Sequence, residues 1–166
     1  MIFIGIGSNL VSPVGTPLTT CLAALKRLEQ SGIPVVRRSP FYETAPVPAS
    51  DQPQFVNGVA ELQTGQNPTE LLCILHDIEN AFSRMRGDSN AARTLDLDLL
   101  AYNDVVCEGQ REAPHLPHPR LHERAFVLLP LCDLAPDWLH PILKTTAGEL
   151  ARRLPPGQTA GRLREY

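Results

Sequence analysis

Apolar residues cluster at the start of the chain, where Ile2, Phe3, Ile4 and Ile6 predict a strand that Gly7-Ser8-Asn9 ends. From Pro17 to Gln30 the spacing becomes helical, with Leu18, Leu22, Leu25 and Leu28 on one face, and Gly32 and Pro34 stop the helix. Ile33 to Tyr42 predicts a strand with an irregular middle, Arg37 and Arg38 facing opposite ways. A loop from Thr44 to Pro53, with prolines at 46, 48 and 53, leads to Phe55, Val56, Val59, Ala60 and Leu62. These predict a strand antiparallel to its predecessor. Pro68 to Phe82 predicts a second helix: Pro68 suits a first turn, Glu70 favours the start, and Leu71, Leu72, Leu75 and Ile78 form the stripe. After a loop from Arg84 to Ala92, Leu95 to Tyr102 alternates as a strand. Asn103-Asp104 turns, and Val105 to Cys107 returns. A loop (Glu108 to Pro119), a helix near Arg124 to Leu134, a last helix from Thr145 to Leu154 and a loose tail after Pro155 complete the reading.

The order β-α-β-β-α-β predicts an α+β, ferredoxin-like core with an antiparallel sheet and C-terminal helical additions. At 166 residues the chain suits one domain spanning 1–166, large enough to fold without metal or disulfide staples. Such a fold hosts many activities, so function must be read from particular residues.

Composition narrows the choice. An apolar fraction of 43% and a charged fraction of 20% describe a globular protein. A net charge of −3 argues against a general nucleic-acid binder, while leaving room for locally clustered arginines around a small anion. Cys21, Cys73, Cys107 and Cys132 form no CxxC pair and sit among apolar neighbours, which predicts reduced core thiols. The N-terminus lacks a charged n-region and a cleavage site, and the apolar run Ala125 to Cys132 is too short to span a bilayer. The expectation is a cytoplasmic protein.

The most informative segment is Arg93-Thr-Leu-Asp-Leu-Asp-Leu-Leu100. On a strand Leu95, Leu97 and Leu99 point one way, and Asp96 and Asp98 are neighbours on the other face. A half-exposed strand could carry a polar outer face for solubility alone. Aspartate is depleted in strands, however, and like charges so close repel, which a bound divalent cation would relieve. Arg84, Arg86 and Arg93 flank this strand. Arginines at a helix end can simply complement its dipole, but beside a carboxylate pair they suit the phosphates of a metal-bound nucleotide. His118 lies between Pro117 and Pro119, close to Arg120, Arg124 and Phe126, whereas His115, His122 and His140 read as solvated. Gly5-Ile-Gly-Ser-Asn9 lacks the GK[ST] ending of a phosphate loop and reads as a tight turn. No HExxH or GxSxG occurs.

Four segments together resemble the 6-hydroxymethyl-7,8-dihydropterin pyrophosphokinases. They are Gly5-Ile-Gly-Ser-Asn9; Phe41-Tyr-Glu-Thr44 with Asp51-Gln-Pro-x-Phe-x-Asn57; Arg93-Thr-Leu-Asp-Leu-Asp98; and Pro117-His-Pro-Arg120 with Arg124-Ala-Phe126. The resemblance implies transfer of pyrophosphate from ATP to a pterin alcohol, with AMP released, in folate biosynthesis. It implies that Asp96 and Asp98 bind two Mg²⁺ ions, and that Phe55 and Phe126 stack on the pterin. Asn57 and the backbone near Thr44 and Val47 would read the pterin's amide edge. Arg84, Arg93, His118 and Arg124 would contact the triphosphate, Arg84 and Arg93 nearest the chemistry. His76, Glu79, Arg86 and Leu99 would lie on the nucleotide side. The expected partners are small molecules only, with neither nucleic acid nor membrane, and the expected state is a monomer. The chain departs from the family's usual pattern at Gly87 to Ala92, a shortened loop without Trp-Gly-Pro and with Ser89 at a usually basic place, and at Ala113 and His115.

Two rival readings stand beside this one: a catalytically silent ferredoxin-like module that binds a small regulatory ligand, and a different Mg-dependent nucleotidyl or phosphoryl transferase. The adjacent acids disfavour the first. Against the second stands the set Phe55, Asn57 and Phe126, through the resemblance.

Overall fold

The computed structural model describes residues 1–46, 51–84, 94–109, 113–158 and 160–164, the side chains of 83 and 84 excepted. Its elements are β1 (Ile2–Ser8), α1 (Pro17–Gln30), β2 (Val35–Arg38), β3 (Tyr42–Thr44), β4 (Phe55–Leu62), α2 (Pro68–Arg84), β5 (Asp96–Tyr102), β6 (Cys107–Glu108), β7 (His115–Leu116), a 3-10 turn at Leu121–Glu123, α3 (Ala125–Leu134), α4 (Ala147–Arg152) and β8 (Ala160–Arg162). The main sheet runs in the order β5-β1-β4-β3-β8, with β2 also paired to β4, and every pairing in it is antiparallel.

Strand alternation sends each face of this sheet to a different core. Ile2, Ile4 and Ile6 of β1 join Leu97 and Leu99 of β5 against α1 and α2, while Phe3, Val59 and Leu100 face α3 and α4. The sheet is therefore buried on both sides, except where glycines and polar residues replace the apolar ones on the α3 side. That exception positions the site.

Caps explain where the helices begin. The Thr16 hydroxyl accepts the Thr19 N–H at the start of α1, and Thr146 with Glu149 makes a reciprocal capping box before α4. The core face of α1 is Cys21, Ala24, Leu25 and Leu28, and Leu22 is exposed, contrary to the predicted leucine stripe. Small residues at 21 and 24 let the helix approach the sheet, so the contact face is rotated toward them.

Five further expectations are corrected. The strand foreseen over Ile33 to Tyr42 is broken into β2 and β3 at Ser39-Pro40, because Pro40 has no N–H for a ladder. The return after Asn103, which turns with φ of 49°, leaves the main sheet: β6 pairs with β7, inside the segment expected to be loop. The tail is not loose, since β8 pairs with β3. Of the cysteines only Cys21 is buried, and Cys73 is exposed. His140, expected in solvent, is buried, its Nδ1 accepting the Ile142 and Leu143 N–H groups. Among the described residues no helix is long and apolar enough to cross a membrane.

Candidate active site

Three adjacent strands set one row of the site. Gly7 of β1 stands opposite Asn57 of β4 on one side and opposite Asp96 of β5 on the other, and Gly5 stands opposite Asp98. The Gly5-Ile-Gly-Ser-Asn9 segment is therefore strand and floor, not the tight turn expected from its glycines. A Cβ on Gly7 would lie 2.7 Å from Asn57 Oδ1, so only glycine leaves that amide its place. Asn57 is itself held: its Nδ2 donates to Thr44 Oγ1 at 2.7 Å, both residues being buried. The signal for the glycines was present, as glycine at alternate positions of a strand marks close approach by another group.

A cleft of about 180 Å³ opens over this row, lined by Thr44, Ala45, Phe55, Asn57, Asp96, Arg124 and Phe126. Two aromatic faces, an amide and a hydroxyl make it suited to a flat ligand with hydrogen-bonding edges. Arg124 immediately precedes α3; its guanidinium carbon lies 5.4 Å from the centre of the Phe126 ring, and its Nη1 lies 3.7 Å from Asp98 Oδ2.

A second cleft, of about 280 Å³, runs along the free edge of β5, between α2 and the segment before the 3-10 turn. His76, Glu79, Asp96, Asp98, Leu99 and His118 line it, together with His115 and Pro114. Asp96 belongs to both clefts. Glu79 is buried, and its Oε1 accepts the Leu97 N–H at 2.7 Å. This amide lies between the two aspartates, on a strand whose outer edge has no further strand among the described residues, so a side chain of α2 completes the hydrogen bonding there. The resemblance implies a place for Glu79 on the nucleotide side, and no feature of the sequence signals this backbone contact.

His118 is fixed through its backbone, its N–H donating to the Leu100 carbonyl, and its Nδ1 accepts the Arg120 N–H at 3.2 Å. Burial, then the positive charges of Arg124 and Arg120, push its pKa down to about 4. At neutral pH it is an uncharged imidazole whose other nitrogen, Nε2, carries the proton. It offers a donor, not a cation.

The chain thus gathers Thr44, Phe55, Asn57, Arg124 and Phe126 in one cleft and His76, Glu79, Leu99 and His118 in the other, with Asp96 common and Asp98 beside it. Val47, Arg84 as a side chain, Arg86, Arg93 and the 87–92 loop lie outside the described residues. Two carboxylates on one strand face offer hard oxygen donors, the chemistry of a Mg²⁺ site completed by phosphate and water. Among the described residues no cluster of three or more His, Cys, Asp or Glu that could hold a metal ion occurs.

An aromatic and amide cleft thus meets an acidic, histidine-lined one at a single carboxylate on an α+β scaffold. The chain belongs to the 7,8-dihydro-6-hydroxymethylpterin-pyrophosphokinase (HPPK) family, whose model matches residues 3–136. It is 39% identical to the 2-amino-4-hydroxy-6-hydroxymethyldihydropteridine pyrophosphokinase of Haemophilus influenzae, over 84% of each chain. It is 40% identical to the protein of the same name from Pseudomonas aeruginosa, over 82% of this chain and 81% of that one. The folic acid synthesis protein fol1 of Schizosaccharomyces pombe is 37% identical over 92% of this chain, which spans only 20% of that longer protein. The fold also matches a crystal structure of Plasmodium falciparum HPPK-DHPS with a TM-score of 0.68 at 15% identity, over 92% of this chain and 44% of that one.

Proposed function

We propose that the chain transfers pyrophosphate from ATP to 6-hydroxymethyl-7,8-dihydropterin, releasing AMP, in folate biosynthesis. The observation that carries this reading is the meeting of the two clefts at Asp96, in a chain of this family. The pterin takes the smaller cleft, its ring between Phe55 and Phe126 and its amide edge on Asn57 and the backbone near Thr44. ATP takes the cleft along β5, with Leu99, His76 and Glu79 toward the nucleoside and His118 and Arg124 toward the phosphates. Arg84, Arg86 and Arg93 complete the phosphate contacts in this proposal.

The hydroxymethyl oxygen then stands at the junction and forms a bond to the β-phosphorus, while the bond from that phosphorus to the α-phosphate oxygen breaks and the hydroxyl proton is released. Catalysis rests on positioning and on stabilising charge, since phosphoryl transfer asks little covalent work of a protein. Asp96 and Asp98 would hold Mg²⁺, two ions in this proposal, and the metal would supply neutralisation of phosphate charge. The arginines bring permanently cationic contacts to the triphosphate, and His118 adds a hydrogen-bond donor.

The strand order β5-β1-β4-β2, once β3 and β8 are set aside, supports describing the core as ferredoxin-like. We read residues 1–166 as a single domain, both cores packing on one sheet, and propose that it acts as a monomer. The decisive experiment incubates the protein with Mg-ATP and the pterin alcohol. AMP as product supports the proposal, and ADP would identify a simple kinase.

A further inference from the structure

The acceptor cleft has two walls that belong to different layers. Thr44 closes one, at the end of β3, and Arg124 and Phe126 form the other, at the start of α3. The width of the cleft therefore depends on what holds β3 and the first turn of α3 at a fixed separation. The C-terminal segment touches both.

At the α3 wall, the residue preceding the helix is Arg124, whose side chain makes no capping hydrogen bond. The first turn would leave its N–H groups without helical partners. Gln158, more than thirty residues later, supplies the missing acceptor: its Oε1 accepts the Ala125 N–H at 2.8 Å. Its Nε2 donates to the Glu123 carbonyl, also at 2.8 Å. One amide thus grips the backbone on both sides of Arg124. At the β3 wall, Ala160, Gly161 and Arg162 pair with Thr44, Glu43 and Tyr42, and the Leu163 N–H donates to the Phe41 carbonyl. Asp133 of α3 accepts hydrogen bonds from both Tyr42 Oη and the Arg162 guanidinium, which closes the loop between the two walls.

We propose that this segment, acting through Gln158 and β8, is a clamp that sets the width of the acceptor cleft, and that Gln158 is a positioning residue for Arg124 and Phe126. The inference rests on the assignment of that cleft to the pterin. The clamp lies beyond residues 3–136, the stretch matched by the family model.

The test compares Gln158→Leu, which keeps the bulk and removes both hydrogen bonds, with Gln158→Glu, which keeps the acceptor for Ala125. Loss of two hydrogen bonds on one wall should raise the KM for the pterin about five- to tenfold. The KM for ATP, whose phosphates Arg124 also faces in the proposed function, should rise by less, and Gln158→Glu should recover part of the loss. Unchanged values for both substrates, equal rises in both, or a fall in melting temperature alone would overturn the clamp. If the wild-type protein forms no AMP, it is the proposed activity that fails, and hydrogen exchange then decides the clamp independently. Faster exchange in Gln158→Leu at 125–128 and 42–44, with global stability retained, supports it; unchanged exchange there refutes it.

Discussion

At the scale of single residues, Asp96 and Asp98 carry the sharpest expectation. Each replaced by alanine should nearly abolish AMP formation while the protein stays folded by circular dichroism. Relief of repulsion between the two acids could stabilise the metal-free variants by up to ~1 kcal/mol. Activity near wild type in either variant would remove it from the site. Gly7 yields a second expectation. A methyl group there meets Asn57 Oδ1, and Asn57 is tied to Thr44, so Gly7→Ala should displace the amide proposed to read the acceptor. Pterin affinity, by calorimetry, should fall by ~1–3 kcal/mol, with ATP affinity little changed. The acidic pair was legible because it violates strand preference and so asked for a reason. The glycines were misread because a turn and a close approach select the same residue, and only the pairing partner tells them apart.

At the scale of elements, β5 is an edge strand whose exposed backbone is finished by a helix. Glu79→Leu would leave the Leu97 N–H without its acceptor, and burial makes that costly, about 1–3 kcal/mol in urea unfolding. Because that amide lies between Asp96 and Asp98, kcat should fall as well, and Glu79→Gln, which keeps an acceptor oxygen, should recover most of the stability. A Glu79→Leu protein with wild-type stability would show that water replaces the carboxylate. The long elements were legible: α1 has the predicted bounds, and α2 and β5 differ by a residue or two at their ends. The short ones were not. Segments of two or three residues such as Cys107–Glu108 and Ala160–Arg162 show no periodicity, and their strand character comes wholly from the partner they meet.

At the scale of the whole molecule, the two-sided core explains how a sheet with glycines on an inner strand and aspartates on its edge stays folded, and it gives a pH signature. His140 packs edge-on against Trp138, and its Nδ1 accepts two backbone N–H groups. Burial, then the neighbouring His122, hold its pKa below the ordinary 6.5. The folded state therefore resists a proton that the unfolded chain accepts. The stability tied to the neutral ring is fully present above pH 6.5 and is lost as pH falls through the lowered value. His140→Asn, which keeps an acceptor oxygen but cannot titrate, should show a smaller drop in unfolding free energy between pH 7 and pH 5 than the wild type. Equal drops would assign the acid sensitivity to other groups.

In the proposed function a nucleotide and an acceptor both meet Asp96, which lines both clefts, so their binding should be coupled. Any charge or movement that the nucleotide imposes on this carboxylate is felt by the acceptor, and the converse follows by necessity. The factor by which a non-hydrolysable ATP analogue alters pterin affinity must equal the factor by which pterin alters affinity for the analogue. Calorimetry run in both orders should return the same ratio, and one that differs from unity. Asp96→Asn, which removes the shared charge but keeps the shape, should bring that ratio toward one. A ratio unchanged by this substitution would mean that the two substrates communicate through the surrounding elements and not through the wall they share.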